Sequence, residues 1–205
     1  MENERVRDVY DRVAPRYDRG IRLVEKLLLG DGRRWVCAQA RGDVLEVAVG
    51  TGRNLPDYPE GVRLTGVELS PAMLNVARQR AEVLGRAVDL RLGDAQALEF
   101  PDASFDTVVF TLALCSIPDD RAAIAEAGRV LRPGGTMLLL EHVRSPLRSV
   151  RAIQHLLEPL FLRLAADHLL REPLEHLMAA GFEILQQERS RLGVVERVSA
   201  RKPSA

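Results

Sequence analysis

Lysine is almost missing from this chain: Lys26 and Lys202 are the only two among 29 basic residues. The preference for arginine reads as genome composition and assigns no function. The 29 bases are balanced by 29 acids, for a formal net charge of +0, so there is no basic field to gather nucleic acid. Cysteine is scarce too. Cys37 and Cys115 form no C-x-x-C, which removes a metal-ligand spacing and predicts reduced cytosolic thiols. His155, His168 and His176 share no ligand spacing with carboxylates, and no metal is expected. No run of about 18 apolar residues occurs, so no helix is expected to span a bilayer. The charged start Met1-Glu2-Asn3-Glu4-Arg5 predicts no signal peptide and a cytoplasmic location. No G-x-x-x-x-G-K-[ST] is present, which argues against phosphoryl transfer. What is there is ordinary: 205 residues, 46% apolar and 28% charged, enough for one well-buried α/β domain and short for two.

Within that chain the most informative run is Val44-Leu45-Glu46-Val47-Ala48-Val49-Gly50-Thr51-Gly52. It reads as an apolar strand that carries one acid and breaks into a glycine turn. The next strand, Leu64-Thr65-Gly66-Val67-Glu68, ends in a second acid. A turn that lets backbone approach a ligand, followed by a carboxylate at the next strand end, is how α/β folds hold an adenosine-type nucleoside. A dinucleotide turn wants G-x-G-x-x-G, but Leu55 stands where the third glycine belongs. The acid on the first strand also suits an ammonium better than a phosphate. These departures favour S-adenosylmethionine (SAM) over NAD.

Alternating signals predict helices over 3–19, broken at Pro15, then 21–40, 71–84 and 119–131. Strands are predicted near 43–48, 63–68, 88–92, 105–111, 136–142, 182–188 and 193–201. That order implies a doubly wound, Rossmann-like sheet of seven strands, mostly parallel. The last two strands are separated by too few residues for a crossover, so they form a C-terminal antiparallel hairpin. One domain over 1–205 is expected, with an N-terminal helical cap over 1–40 and a helical lid over 145–171. The lid segment carries an apolar stripe that includes Leu157 and Phe161, flanked by Arg148, Arg151 and Arg163. It reads either as a helix packed on the core or as a cover over an apolar acceptor site that touches a membrane surface.

Six motifs in order carry a resemblance over almost the whole chain. They are Val9-Tyr10-Asp11-Arg12-Val13-Ala14-Pro15-Arg16-Tyr17-Asp18, the Glu46–Gly52 turn and Gly66-Val67-Glu68-Leu69-Ser70-Pro71-Ala72-Met73-Leu74. Gly93-Asp94-Ala95, Phe105-Asp106-Thr107-Val108-Val109 and Arg129-Val130-Leu131-Arg132-Pro133-Gly134-Gly135 complete them. The chain resembles the class I SAM-dependent methyltransferases, in the branch of the ubiquinone/menaquinone enzymes and the alkyl-thiol methyltransferase-like proteins. Ala48 departs from the family's usual glycine. The resemblance implies that Glu46 holds the cofactor ammonium, while backbone at Ala48, Gly50 and Gly52 approaches the methionine part. Glu68 would accept the ribose hydroxyls, Leu69 and Met73 would flank adenine, and Asp94 would accept the adenine amino group beside Ala95. Tyr17 would close over the methionine end, with Thr111 at the fourth strand's end. The alternative for Glu68 and Asp94 is to cap helices, and Leu69 and Met73 could equally be core. Cys115, Ser116, Leu157 and Phe161 are candidates for the acceptor pocket, and His142 for a general base. The implied activity is methyl transfer to a small apolar or lipid-like acceptor, a thiol first, with a quinol or aminophospholipid next. An NAD-dependent oxidoreductase or a non-catalytic SAM-binding module stays open, and the oligomeric state is not legible.

Overall fold

A computed structural model describes residues 2–204. Three helices come first: α1 (Glu2–Val13), α2 (Tyr17–Leu28) and α3 (Gly32–Cys37). The break predicted at Pro15 is a single 3-10 turn, Ala14–Arg16. The helix predicted over 21–40 is not continuous. Its chain turns between α2 and α3, where Gly30 takes a φ of 57° that other residues adopt only at a cost.

β1 (Asp43–Val47) and β2 (Arg63–Glu68) follow, then α4 (Pro71–Leu84), β3 (Asp89–Leu92) and β4 (Phe105–Thr111). α5 (Asp120–Val130) leads into β5 (Leu131–His142). α6 (Arg148–Ala165), α7 (Pro173–Ala179), β6 (Glu183–Ser190) and β7 (Val195–Arg201) complete the chain. Local chemistry sets the main helix starts. The Ser70 hydroxyl accepts from Met73 N at 3.1 Å with Pro71 at the first helical position, and Asp119 accepts from Ala122 N at 2.9 Å. β5 begins earlier than its pattern predicts, because Leu131 pairs with Phe105 across an irregularity in the ladder. The short helix α7 has no counterpart in the sequence reading.

The strand order is β3-β2-β1-β4-β5-β7-β6, parallel throughout except that β7 runs antiparallel to both its neighbours. This is the predicted seven-stranded doubly wound sheet with its terminal hairpin. Alternation along the central strands feeds two cores. Val108, Phe110, Met137 and Leu139 pack on one face with Ile124 of α5, while Val109, Leu138 and Leu140 pack on the other with Val36 of α3. Strands apolar on both sides must be covered on both, and this fixes the layers. Order reverses between β1 and β4, so the crevice at their carboxyl ends is where such a sheet places a ligand.

Candidate cofactor site

The turn after β1 lies at that reversal. Three of its residues have positive φ: Ala48 at 55°, Gly50 at 57° and Gly52 at 75°. Ala48 carries a Cβ in this conformation, at a cost of about 1–2 kcal/mol. The two glycines serve different ends. Gly50 turns its N–H onto Glu68 Oε2 at 2.9 Å. Gly52 lets α4 come close, since a Cβ there would stand 2.8 Å from Leu55 Cδ1 and 3.3 Å from the Ala77 backbone.

Glu68 is clamped at the end of β2. Its second oxygen accepts from Ser70 N at 2.9 Å, and Leu69 N adds to the same carboxylate. Burial raises its carboxyl above the ordinary value, against the lowering by those N–H groups. Glu46 is deeper. Its Oε1 accepts from Asn54 Nδ2 at 2.8 Å, and its Oε2 is buried without a hydrogen bond. Burial pushes this carboxyl up to about 7, with the Arg33 guanidinium opposing. Asn54 is fully buried and also donates to Thr111 Oγ1 at 2.9 Å while accepting from Arg33 Nη1 at 2.8 Å. Arg33 and Arg53 are both held by the buried Glu25 of α2. The result is an acid, an amide and two guanidiniums around one end of a cavity.

That cavity measures about 810 Å³ with its open mouth included. Tyr17, Glu46, Ala48, Gly50, Glu68, Leu69, Met73, Asp94, Ala95 and Thr111 all line it. The N-terminal helices form its roof. Tyr10 and Tyr17 stand with ring centroids 6.3 Å apart, and Asn3 donates to Asp94 Oδ2 at 2.6 Å. Two acids of the first motif fasten this roof. Asp11 accepts from the Ser70 hydroxyl at 2.5 Å and from Ala72 N at 3.1 Å, while Asp18 accepts from the Thr51 hydroxyl at 2.7 Å and pairs with Arg80.

Five expected site residues lie elsewhere. Gly52 is absent from the cavity wall because its missing side chain accommodates α4. Cys115 is buried beneath the loop whose next residue, Ser116, does line the cavity. Leu157 and Phe161 sit on α6 at 37% exposure each and do not reach the cavity wall. His142 points its Nε2 at Asp167 Oδ1, 2.9 Å away, and is likewise outside the lining. Its placement gives no support to a general base acting in this cavity. Ser116, expected beside Cys115, does line it, while sequence reasoning missed Asn3, Tyr10, Arg33 and Arg53. A basic side chain on a helix otherwise read as surface is the only signal Arg33 could have given.

The donor set fits SAM on the protein's own terms. Glu68 presents two oxygens for vicinal hydroxyls, the unpartnered Glu46 oxygen suits an ammonium, and Arg33 and Arg53 suit a carboxylate at the same end. Such a donor set would suit a nucleoside carrying an amino-acid tail. Comparison with known proteins agrees. Residues 45–139 match a family described as a methyltransferase domain. A phosphatidylethanolamine N-methyltransferase of Cereibacter sphaeroides is 40% identical over 114 residues, covering 53% of this chain and 56% of that protein. A demethylmenaquinone methyltransferase of Deinococcus radiodurans is 35% identical over 151 residues, covering 68% and 61%. The matched stretch thus spans about three fifths of the length of these relatives. Among solved structures, a SAM-dependent methyltransferase of Thermotoga maritima described as a possible histamine N-methyltransferase shares the fold, with a TM-score of 0.74 at 22% identity, covering 95% of this chain and 99% of that one. The chain belongs to the class I SAM-dependent methyltransferases, in the ubiquinone/menaquinone methyltransferase branch. The cofactor of that family is SAM.

Proposed function

We propose that this protein transfers a methyl group from SAM to a small apolar or lipid-like acceptor. The observation that carries the reading is the cavity at the sheet's carboxyl edge, with Glu46, Glu68 and Asp94 placed along it and Tyr10 and Tyr17 over it. SAM supplies an electrophilic methyl group on a sulfonium. The chain supplies alignment: Glu68 for the ribose, Asp94 for the adenine amino group, and Glu46 with Arg33 and Arg53 for the two charges of the amino-acid end. Tyr10 and Tyr17, both half-buried, shield the methionine end from water. A displacement of this kind gains most from orientation and a dry pocket, which is what these residues offer.

The acceptor reading has two parts. The coarse one, a small molecule or lipid, is supported by the relatives, whose names specify phosphatidylethanolamine and demethylmenaquinone. The finer one, a thiol, rests on the sequence resemblance, and neither relative is named for a thiol. We read residues 1–40 as the cap of the cavity and 145–171 as a flanking lid that makes peripheral membrane contact. The apolar face of α6 supports the second reading, because Ile153, Leu156, Leu160 and Leu164 are 51–79% exposed. The residue α6 buries is polar: Gln154 accepts from Ser145 N at 2.8 Å and donates to Val143 O at 2.9 Å. Among the described residues no helix is long and apolar enough to cross a membrane.

The test is a labelled-methyl assay on thiols, quinols, phenols and phosphatidylethanolamine vesicles. Transfer to a quinol or to phosphatidylethanolamine, with none to thiols, would overturn the thiol reading alone. No transfer to any acceptor by a protein that binds S-adenosylhomocysteine would replace the enzyme with a binding module.

A further inference from the structure

Three segments distant in sequence meet behind the cavity wall. Cys115 comes from the loop after β4, His142 from the end of β5 and Asp167 from the turn after α6. One ligand-capable atom from each lies within 4.8 Å of the others. We propose that Cys115, His142 and Asp167 form a zinc-binding site. This inference stands apart from the proposed methyl transfer, because none of the three lines the cofactor cavity.

Geometry is the first argument. With zinc bonds of about 2.3 Å to sulfur and 2.0–2.2 Å to nitrogen or oxygen, tetrahedral ligands sit about 3.3–3.7 Å apart. His142 Nε2 and Asp167 Oδ1 are 2.9 Å apart already. The three atoms lie within 4.8 Å of one another, so drawing the sulfur into the same shell takes a shift of about 1.5 Å at most. Three protein ligands leave a fourth position open.

Charge is the second argument. Glu141 and Glu158 act on His142 together with Asp167, and Glu141 and Asp167 also act on Cys115, with Arg171 the opposing cation. Glu141 Oε2 and His142 Nδ1 are buried with no hydrogen-bond partner. A region that gathers acids around a thiol and leaves polar atoms unmatched is better balanced with a cation in it. The ligand set chooses the cation. Thiolate with imidazole and one carboxylate suits zinc, whereas calcium and magnesium take six or more oxygens. Binding sends the Cys115 thiol proton to solvent, moves the imidazole proton of His142 from Nε2 to the unpartnered Nδ1, and exchanges the His142–Asp167 hydrogen bond for two metal bonds. The ion would tie the turn after α6 to the sheet edge, next to the loop that carries Ser116 into the cavity.

The experiment uses the full chain, reduced and freed of metal, then dialysed against zinc chloride and analysed by mass spectrometry. About one zinc per chain is expected. Cobalt(II) in its place should give a thiolate-to-metal charge-transfer band that Cys115→Ser abolishes and Cys37→Ala retains. Asp167→Asn and His142→Gln should each weaken zinc binding about tenfold or more, while S-adenosylhomocysteine affinity stays within a factor of about two. A folded wild-type protein that retains no zinc and gives no cobalt–thiolate band overturns the proposal. So does zinc affinity unchanged in Cys115→Ser and Asp167→Asn. If a substitution unfolds the chain, the wild-type cobalt spectrum decides the question.

Discussion

Glu68 holds the turn after β1 through Gly50 N and Ser70 N and is the proposed acceptor for the ribose, and its replacement separates the two roles. In Glu68→Ala, Gly50 N and Ser70 N each lose a charged acceptor at 2.9 Å. A hydrogen bond to a charged group contributes about 1.5–3 kcal/mol. Ser70 N is buried and finds no water, while Gly50 N is only partly buried. The expected stability loss is therefore about 2–4 kcal/mol, below the full sum. Glu68→Gln keeps one acceptor oxygen and the side-chain volume, so it should cost about half of that. Cofactor affinity falls in both variants. Losing even one charge-assisted bond to a ribose hydroxyl weakens binding about tenfold, at roughly 1.4 kcal/mol per decade. Urea denaturation measures the first effect and calorimetric titration with S-adenosylhomocysteine the second. A folded Glu68→Gln protein that binds S-adenosylhomocysteine within twofold of wild type would refute the ribose assignment. An unchanged urea midpoint in Glu68→Ala would refute the account of the turn.

Ala48→Gly should stabilise the protein by about 1 kcal/mol, because glycine adopts φ 55° without a Cβ penalty; a lowered urea midpoint would contradict this. Glu46 gives a pH dependence in two opposite senses. Its carboxyl is raised by burial from 4.5 to about 7, so the folded state holds the proton more tightly, and this group's contribution to stability falls as pH rises from 4.5 to about 7. An ammonium on the cofactor needs the ionised form, so S-adenosylhomocysteine affinity should rise about tenfold from pH 6 to pH 8. Glu46→Gln should flatten that rise, and a profile identical to wild type would remove Glu46 from ammonium binding. On α6, Leu156→Ser with Leu160→Ser alters exposed side chains (79% and 51%), so stability should change by less than about 0.5 kcal/mol per site. Vesicle sedimentation should drop sharply in the double variant; equal sedimentation would refute membrane contact through this face.

Much of the candidate site's architecture was legible because its signals are local. A strand, a turn with two glycines and an acid at the next strand end are contiguous signals, and the order of the sheet places Glu46 and Glu68 at one edge by rule. Ser70, Pro71 and Asp119 marked helix starts for the same reason. What escaped was built across the chain. Asn54 bridges Glu46, Thr111 and Arg33, which lie on two strands and a helix, and no spacing within the sequence announces that meeting. Arg33 read as an ordinary charge because a helix's outward face and its cavity-facing face look alike until the helix is docked. Periodicity found the stripe of α6 correctly but could not say what it faces. An apolar stripe reports that a surface seeks cover, and only the fold shows that Gln154 turns inward while Leu156 and Leu160 turn out. The same limit governs metal ligands. Spacing rules detect sites whose ligands share one turn or hairpin, whereas Cys115, His142 and Asp167 converge from three segments separated by a helix or more. An expectation of no metal drawn from spacing therefore covers local sites alone, and a nonlocal cluster at the edge of a doubly wound sheet has to be sought in the folded chain.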